Sequence, residues 1–92
     1  MKRLITLAAL MVTFPAIAYD CEKLSKYATE VMTKRQNEVS IVDVIKLADG
    51  EIEKRIVLEA YQKPSFSGDK WQSKAIKEFA NDVATGCYAA SM

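Results

Sequence analysis

The stretch DKWQSKAIKEFANDVATGCYAA, Asp69 to Ala90, decides the fold. Its apolar residues Ala75, Ile76, Phe79, Ala80, Val83, Ala84 and Cys87 recur at steps of three and four, which gathers them on one stripe of an α-helix. Lys74, Lys77, Glu78 and Asp82 fall largely off that stripe and form a solvated side. The stripe carries Cys87 toward the core. The only other cysteine, Cys21, stands where a second amphipathic stretch begins. A bridge between the two requires the first and last helices to lie antiparallel and side by side. In the loop-entropy treatment, closing so long a segment is worth about 4 kcal/mol, comparable with the whole stability of a small domain.

The N-terminal residues point to the same chemistry. Lys2 and Arg3 form a basic start, Leu4 to Phe14 an apolar run, and Ala16-Ile17-Ala18 a small-x-small cleavage site. Residues 1–18 are therefore expected to be a signal peptide cut near Ala18, leaving residues 19–92 as a single helical domain in the periplasm or outside the cell. The apolar run is shorter than the roughly 20 residues of a membrane span, and Tyr19-Asp20 does not supply the small residue that lipid attachment needs before its cysteine. No stable membrane anchor is expected. Cleavage takes away two of the 13 basic residues and none of the 12 acidic ones, so the mature chain carries a formal charge of −1. Its Lys and Arg are interspersed with Glu and Asp, not gathered into the basic patch that nucleic acid requires. A small exported domain has a marginal core, and one disulfide is the ordinary staple for it.

Between the cysteines, Cys21, Leu24, Ala28, Val31, Met32 and Arg35 keep helical spacing, with Asp20 placed to cap them, so the first helix is expected over Cys21 to Gln36. Ser40 with Asp43 three residues on is a variant of the capping box, predicting a second helix over Ile41 to Ala48. Asp49-Gly50 stops it. The same pair suits a hairpin turn, and the β-branched run Val39 to Leu47 would then be a strand paired with Ile52 to Leu58. The helical steps of Ile52, Ile56, Val57, Ala60 and Tyr61 favour a third helix, Glu51 to Gln62. Pro64 ends that helix. A loop, Ser65 to Gly68, carries Phe66 to the fourth helix, capped by Asp69 or Ser67. The expected architecture is all-α: a small four-helix domain closed by one disulfide between its first and last helices. Its core is expected at Leu24, Ala28, Val31, Met32, Val44, Ile45, Ile56, Ile76, Phe79 and Val83.

Candidate chemistry is sparse. The chain has no histidine, which removes the usual general base, the commonest metal ligand and both the Ser/His/Asp and Cys/His arrangements. Three glycines make no phosphate loop, and with both thiols joined no zinc set remains. No cofactor or metal is expected. Glu30, Glu53, Glu59 and Glu78 are formally available for carboxylate-based hydrolysis, but evenly spread acids are what a solvated surface needs. Two clusters remain. Arg35-Gln36 at a helix end can read a carboxylate or a backbone edge, or Arg35 can simply satisfy last-turn carbonyls. Tyr61, Pro64, Phe66 and Trp71 gather ring-bearing residues around one loop, the composition of a protein-binding hot spot, or of a plug that seals one end of a small core.

Cys21, Leu24, Ala28, Met32, Arg35 and Gln36, then Ala60, Tyr61 and Pro64, then Phe79 and Cys87, in that spacing, give the chain a resemblance to small exported one-disulfide helical proteins of enteric bacteria and their phages or prophages. The resemblance spans the mature domain and implies a secreted, helical fold, with no activity to carry over. The expected function is non-enzymatic: binding of a periplasmic or envelope protein, as a phage-type inhibitor or exclusion factor. An acid-stress periplasmic chaperone is the alternative, and a carboxylate-based hydrolase ranks below both.

Overall fold

The computed structural model describes residues 20–91, so the signal peptide and its cleavage near Ala18 lie outside the described residues. Within them the chain forms four α-helices and no strand: α1 (Cys21–Gln36), α2 (Ile41–Ile45), α3 (Glu51–Tyr61) and α4 (Asp69–Ser91). A disulfide joins Cys21 of α1 to Cys87 of α4, with the Cα atoms 5.6 Å apart.

Local chemistry explains where each helix starts and stops. The Asp20 carboxylate accepts the Lys23 N–H at 3.1 Å, and α1 runs with Glu22 in its first turn and Lys34 and Arg35 in its last, so its charges complement the helix dipole. Past Gln36 the Val39 N–H donates back to the Lys34 carbonyl, and Glu38 takes a left-handed φ of 61° to allow it, a position that usually falls to glycine. The Ser40 side chain accepts the Val42 N–H at 3.2 Å and opens α2. That helix is shorter than its apolar run. It ends at Ile45, not Ala48, and the Leu47 and Ala48 amides donate to carbonyls only three residues back, tightening the chain into a turn. Four of its five residues are β-branched, and their stiff side chains crowd the preceding turn of a helix.

Gly50 therefore does not close α2; it opens α3. With φ 125° and ψ 170° it occupies a region reserved for glycine, and Glu53 reaches back to accept the Asp49 N–H. Ile52 to Leu58, the other half of the hairpin alternative, is helical throughout. The helix ends at Tyr61, with Gln62 as its cap. For α4 the first carbonyl to accept is that of Gly68, from the Gln72 N–H at 2.9 Å, which puts Gly68, and neither Asp69 nor Ser67, at the capping position. Asp69 instead supplies first-turn negative charge.

α1 is the hub: α2, α3 and α4 all pack on it, and α2 also meets α3. The core comprises Ala28, Val31 and Met32 of α1, Val44 of α2, Ile56, Val57 and Ala60 of α3, and Phe79, Ala80 and Val83 of α4. Leu24, Ile45 and Ile76, expected inside, are half-buried and flank this core, while Val57, Ala60 and Ala80 complete it. α1 and α4 run antiparallel: Cys21 bonds Cys87 at one end, and at the other the Gln72 side chain donates to the Gln36 carbonyl at 3.4 Å. Midway, the small residues Ala28 and Ala80 are both buried and Ser25 Oγ donates to the Ala80 carbonyl across the pair at 3.4 Å.

Candidate functional site

The two candidate clusters, Arg35-Gln36 and the ring-bearing loop, meet at the end of the molecule away from the disulfide. Arg35 Nε donates to the Lys63 carbonyl at 2.9 Å, so its guanidinium satisfies the loop and not the last turn of its own helix. Its charge also lies 5.3 Å from the centre of the Tyr61 ring. Gln36 is the one buried polar residue among the described residues, and its amide is spent on the loop: Nε2 donates to the Pro64 carbonyl at 2.9 Å and Oε1 accepts the Phe66 N–H at 2.8 Å. Nε2 also lies 3.6 Å from the Met32 sulfur. From α4, Gln72 donates to the Phe66 carbonyl at 2.7 Å. The backbone of residues 63–66 is thus held from two helices by side-chain amides and one guanidinium.

Tyr61 belongs to the same clamp. Its hydroxyl donates to the Val39 carbonyl at 2.6 Å, and its ring is half-buried against the core. Burial raises its phenol pKa above the ordinary value, Arg35 opposes that rise, and Asp43 adds to it. Phe66 and Trp71 differ from Tyr61 in being exposed, Phe66 at 38% and Trp71 at 54%. A Cβ on Gly68 would lie 3.6 Å from Trp71 Cδ1, so the indole lies beside the glycine that caps α4. The Lys70 ammonium is 5.8 Å from the indole centre.

Beside the loop opens a groove of about 230 Å³. Its base is Met32 and Phe79, both core residues, with Ala75 next to them. Pro64, Phe66 and Lys63 of the loop form one wall, and Glu78 and Asp82 of α4 form the other. Trp71, Ala75, Glu78 and Asp82 follow at steps of four, three and four, so the exposed indole lies on the same edge of α4 as the groove. The Glu78 carboxylate pairs with Lys74 at 2.8 Å, which raises the Lys74 pKa through that hydrogen bond.

The other carboxylates do not gather here. Glu30 and Glu53 border a second concavity with Tyr27, and Glu59 lines neither. The Tyr27 hydroxyl is buried and has no hydrogen-bond partner among the described residues. Burial raises its pKa first, and Glu53 and then Glu30 raise it further. Among the described residues no group of three or more acidic or sulfur side chains is placed to hold a metal, and no helix is long and apolar enough to cross a membrane.

Arg35 and the Lys63 carbonyl it bonds stand 28 positions apart in the chain, so no local spacing links Arg35-Gln36 to the loop. One signal joined them in principle. Gln36 lies four residues beyond Met32, so it continues the buried stripe of α1 with an amide, and a polar residue on an apolar stripe has to bond to something. The groove leaves no signal in the sequence, since it exists only where the loop lies against α4. No protein-family model, curated protein or solved structure matches the chain.

Proposed function

We propose that the protein acts without catalysis, by binding a periplasmic or envelope protein through Phe66 and Trp71, in the manner of a phage-type inhibitor or exclusion factor. One observation carries this reading: the loop backbone is fixed by Arg35, Gln36 and Gln72 while Phe66 on the loop and Trp71 in the first turn of α4 stay exposed. Large rigid side chains on a backbone that is already ordered bind at low entropy cost, and aromatic residues dominate the energetics of protein contacts. A plug for the core would have its rings inside. Export fits a disulfide that closes the domain, since such bonds persist in oxidising compartments.

The roles within the cluster are accordingly divided. Phe66, Trp71 and Pro64 are the contact, and Arg35, Gln36 and Tyr61 hold it in place. Capture from periplasm with the oxidised protein, at neutral pH and again in acid, tests the proposal. A single stoichiometric partner at neutral pH is expected, weakened about 30-fold by Trp71→Ala or Phe66→Ala while the thermal unfolding of each variant stays unchanged. Many clients held only in acid would replace this reading with the chaperone. Hydrolysis of peptidoglycan, peptide or ester above a buffer control would replace it with an enzyme.

A further inference from the structure

We infer that the groove between the 62–68 loop and α4 receives the side chain of an arginine or lysine of the bound protein, an inference that rests on reading the loop as a protein contact. Its size comes first. At about 230 Å³ it falls below the roughly 300–1,000 Å³ of small-molecule sites, and is suited to one long side chain and not to a whole ligand. Its composition comes second. Met32 and Phe79 offer an apolar base, while Glu78 and Asp82 stand one turn apart on the α4 wall. Long cationic side chains have this same division, a stem that lies along apolar surface and a charged head that does not.

The charges favour a cation over the other occupants. Two carboxylates against the single ammonium of Lys63 leave the lining with a net charge of −1, which repels an anionic side chain. A purely apolar one would strip water from both carboxylates and return nothing to them. Glu78 already meets Lys74, but with both side chains more than half exposed that pair is weak and is readily exchanged for a better-placed cation. Asp82 makes no ion pair among the described residues. Trp71, one turn before Ala75 on the same edge of α4, extends the contact beyond the groove.

Titrating the oxidised, isotope-labelled protein with butylguanidinium, n-butanol and butyrate tests the groove without the partner. Saturable shifts at the Phe66, Ala75 and Phe79 amides are expected with butylguanidinium in the millimolar range, at least about tenfold tighter than with n-butanol. The double substitution E78Q/D82N, on the exposed side of a long helix, should reduce the cation to the level of the alcohol. Equal binding of n-butanol, preference for butyrate, an unchanged response in E78Q/D82N, or no saturable shift would each overturn the inference. A second arm uses the captured partner: E78Q/D82N should weaken it about tenfold, and undiminished capture would also overturn the inference while leaving the Phe66 and Trp71 contact standing. Failure of capture with a normal cation response would fall instead on the protein-contact reading.

Discussion

The α1–α4 pair is fastened at both ends, by a covalent bond where α1 begins and by a set of amides where it finishes, and the two fastenings act on different states of the chain. The disulfide works mainly on the unfolded chain, whose freedom it cuts across 66 residues of separation. Gln36, Arg35 and Gln72 work only on the native state, because the carbonyls and amide they satisfy are brought together by folding. A covalent pin therefore stabilises everything it encloses, and a polar pin stabilises what it touches.

Removing the covalent pin should have the largest effect. The double substitution C21S/C87S is expected to cost about 4 kcal/mol in urea unfolding, with amide exchange accelerated throughout the domain; acceleration confined to the helix ends would contradict its global action. Next comes Gln36→Ala, which leaves the Pro64 carbonyl and the Phe66 N–H without partners and should cost about 2 kcal/mol. Its exchange signature should be local, confined to residues 62–72. A uniform increase would mean that both pins act alike.

Two tyrosines sharpen the contrast between satisfied and stranded groups. Tyr61→Phe deletes the bond to the Val39 carbonyl and should cost about 1 kcal/mol, whereas Tyr27→Phe removes a buried hydroxyl with no partner among the described residues and should stabilise by about 1 kcal/mol. Thermal unfolding of the two variants side by side reads both signs. The same residues set the alkaline limb. Both phenols have raised pKa values in the folded protein, so folding favours their protonated forms. Their contribution is fully present below the ordinary phenol value near 10 and is lost as pH rises through the raised folded values. Stability should hold up to that point and then fall, less steeply in a Y27F/Y61F double variant; an identical limb would show that the phenols do not set it. The smallest effect is expected at Glu38, where glycine relieves the left-handed backbone but loosens the unfolded chain, for a net gain of about 0.5–1 kcal/mol. A loss in Glu38→Gly would mean that the 3.4 Å contact from Ser65 Oγ to its carboxylate matters more than the strain.

The same division governs what could be read along the chain. The disulfide, the cap at Asp20 and the span of α1 were legible because each depends on neighbours in sequence or on a bond that only two residues can make. The end of α2 was not, since apolar spacing continues to Ala48 while the β-branched side chains stop the helix at Ile45. Asp49-Gly50 reads as the stop of α2 in the sequence, whereas Gly50 opens α3; the φ and ψ that distinguish a stop from a start leave no mark in composition. At the candidate site the residue types are legible in the sequence, but not which of them are buried and which exposed. Tyr61 and Phe66 look alike as aromatic loop residues, and only the fold makes one a clamp and the other a surface. Tyr61→Ala would remove the Val39 bond and the Arg35 cation–π contact together.

Fifteen positions separate Cys21 from Gln36 along α1, and fifteen separate Gln72 from Cys87 along α4. Two rods bolted to each other at equal intervals can neither slide nor change length independently. One residue inserted into α1 between the bolts would turn Gln36 by roughly 100° about the helix axis, swinging its amide away from Pro64 and Phe66 even though the disulfide still formed. Insertions should therefore be tolerated in neither rod between its bolts, nor at residues 63–66, whose backbone Arg35, Gln36 and Gln72 hold; of the exposed rings, Phe66 lies in that held segment and Trp71 rides on α4.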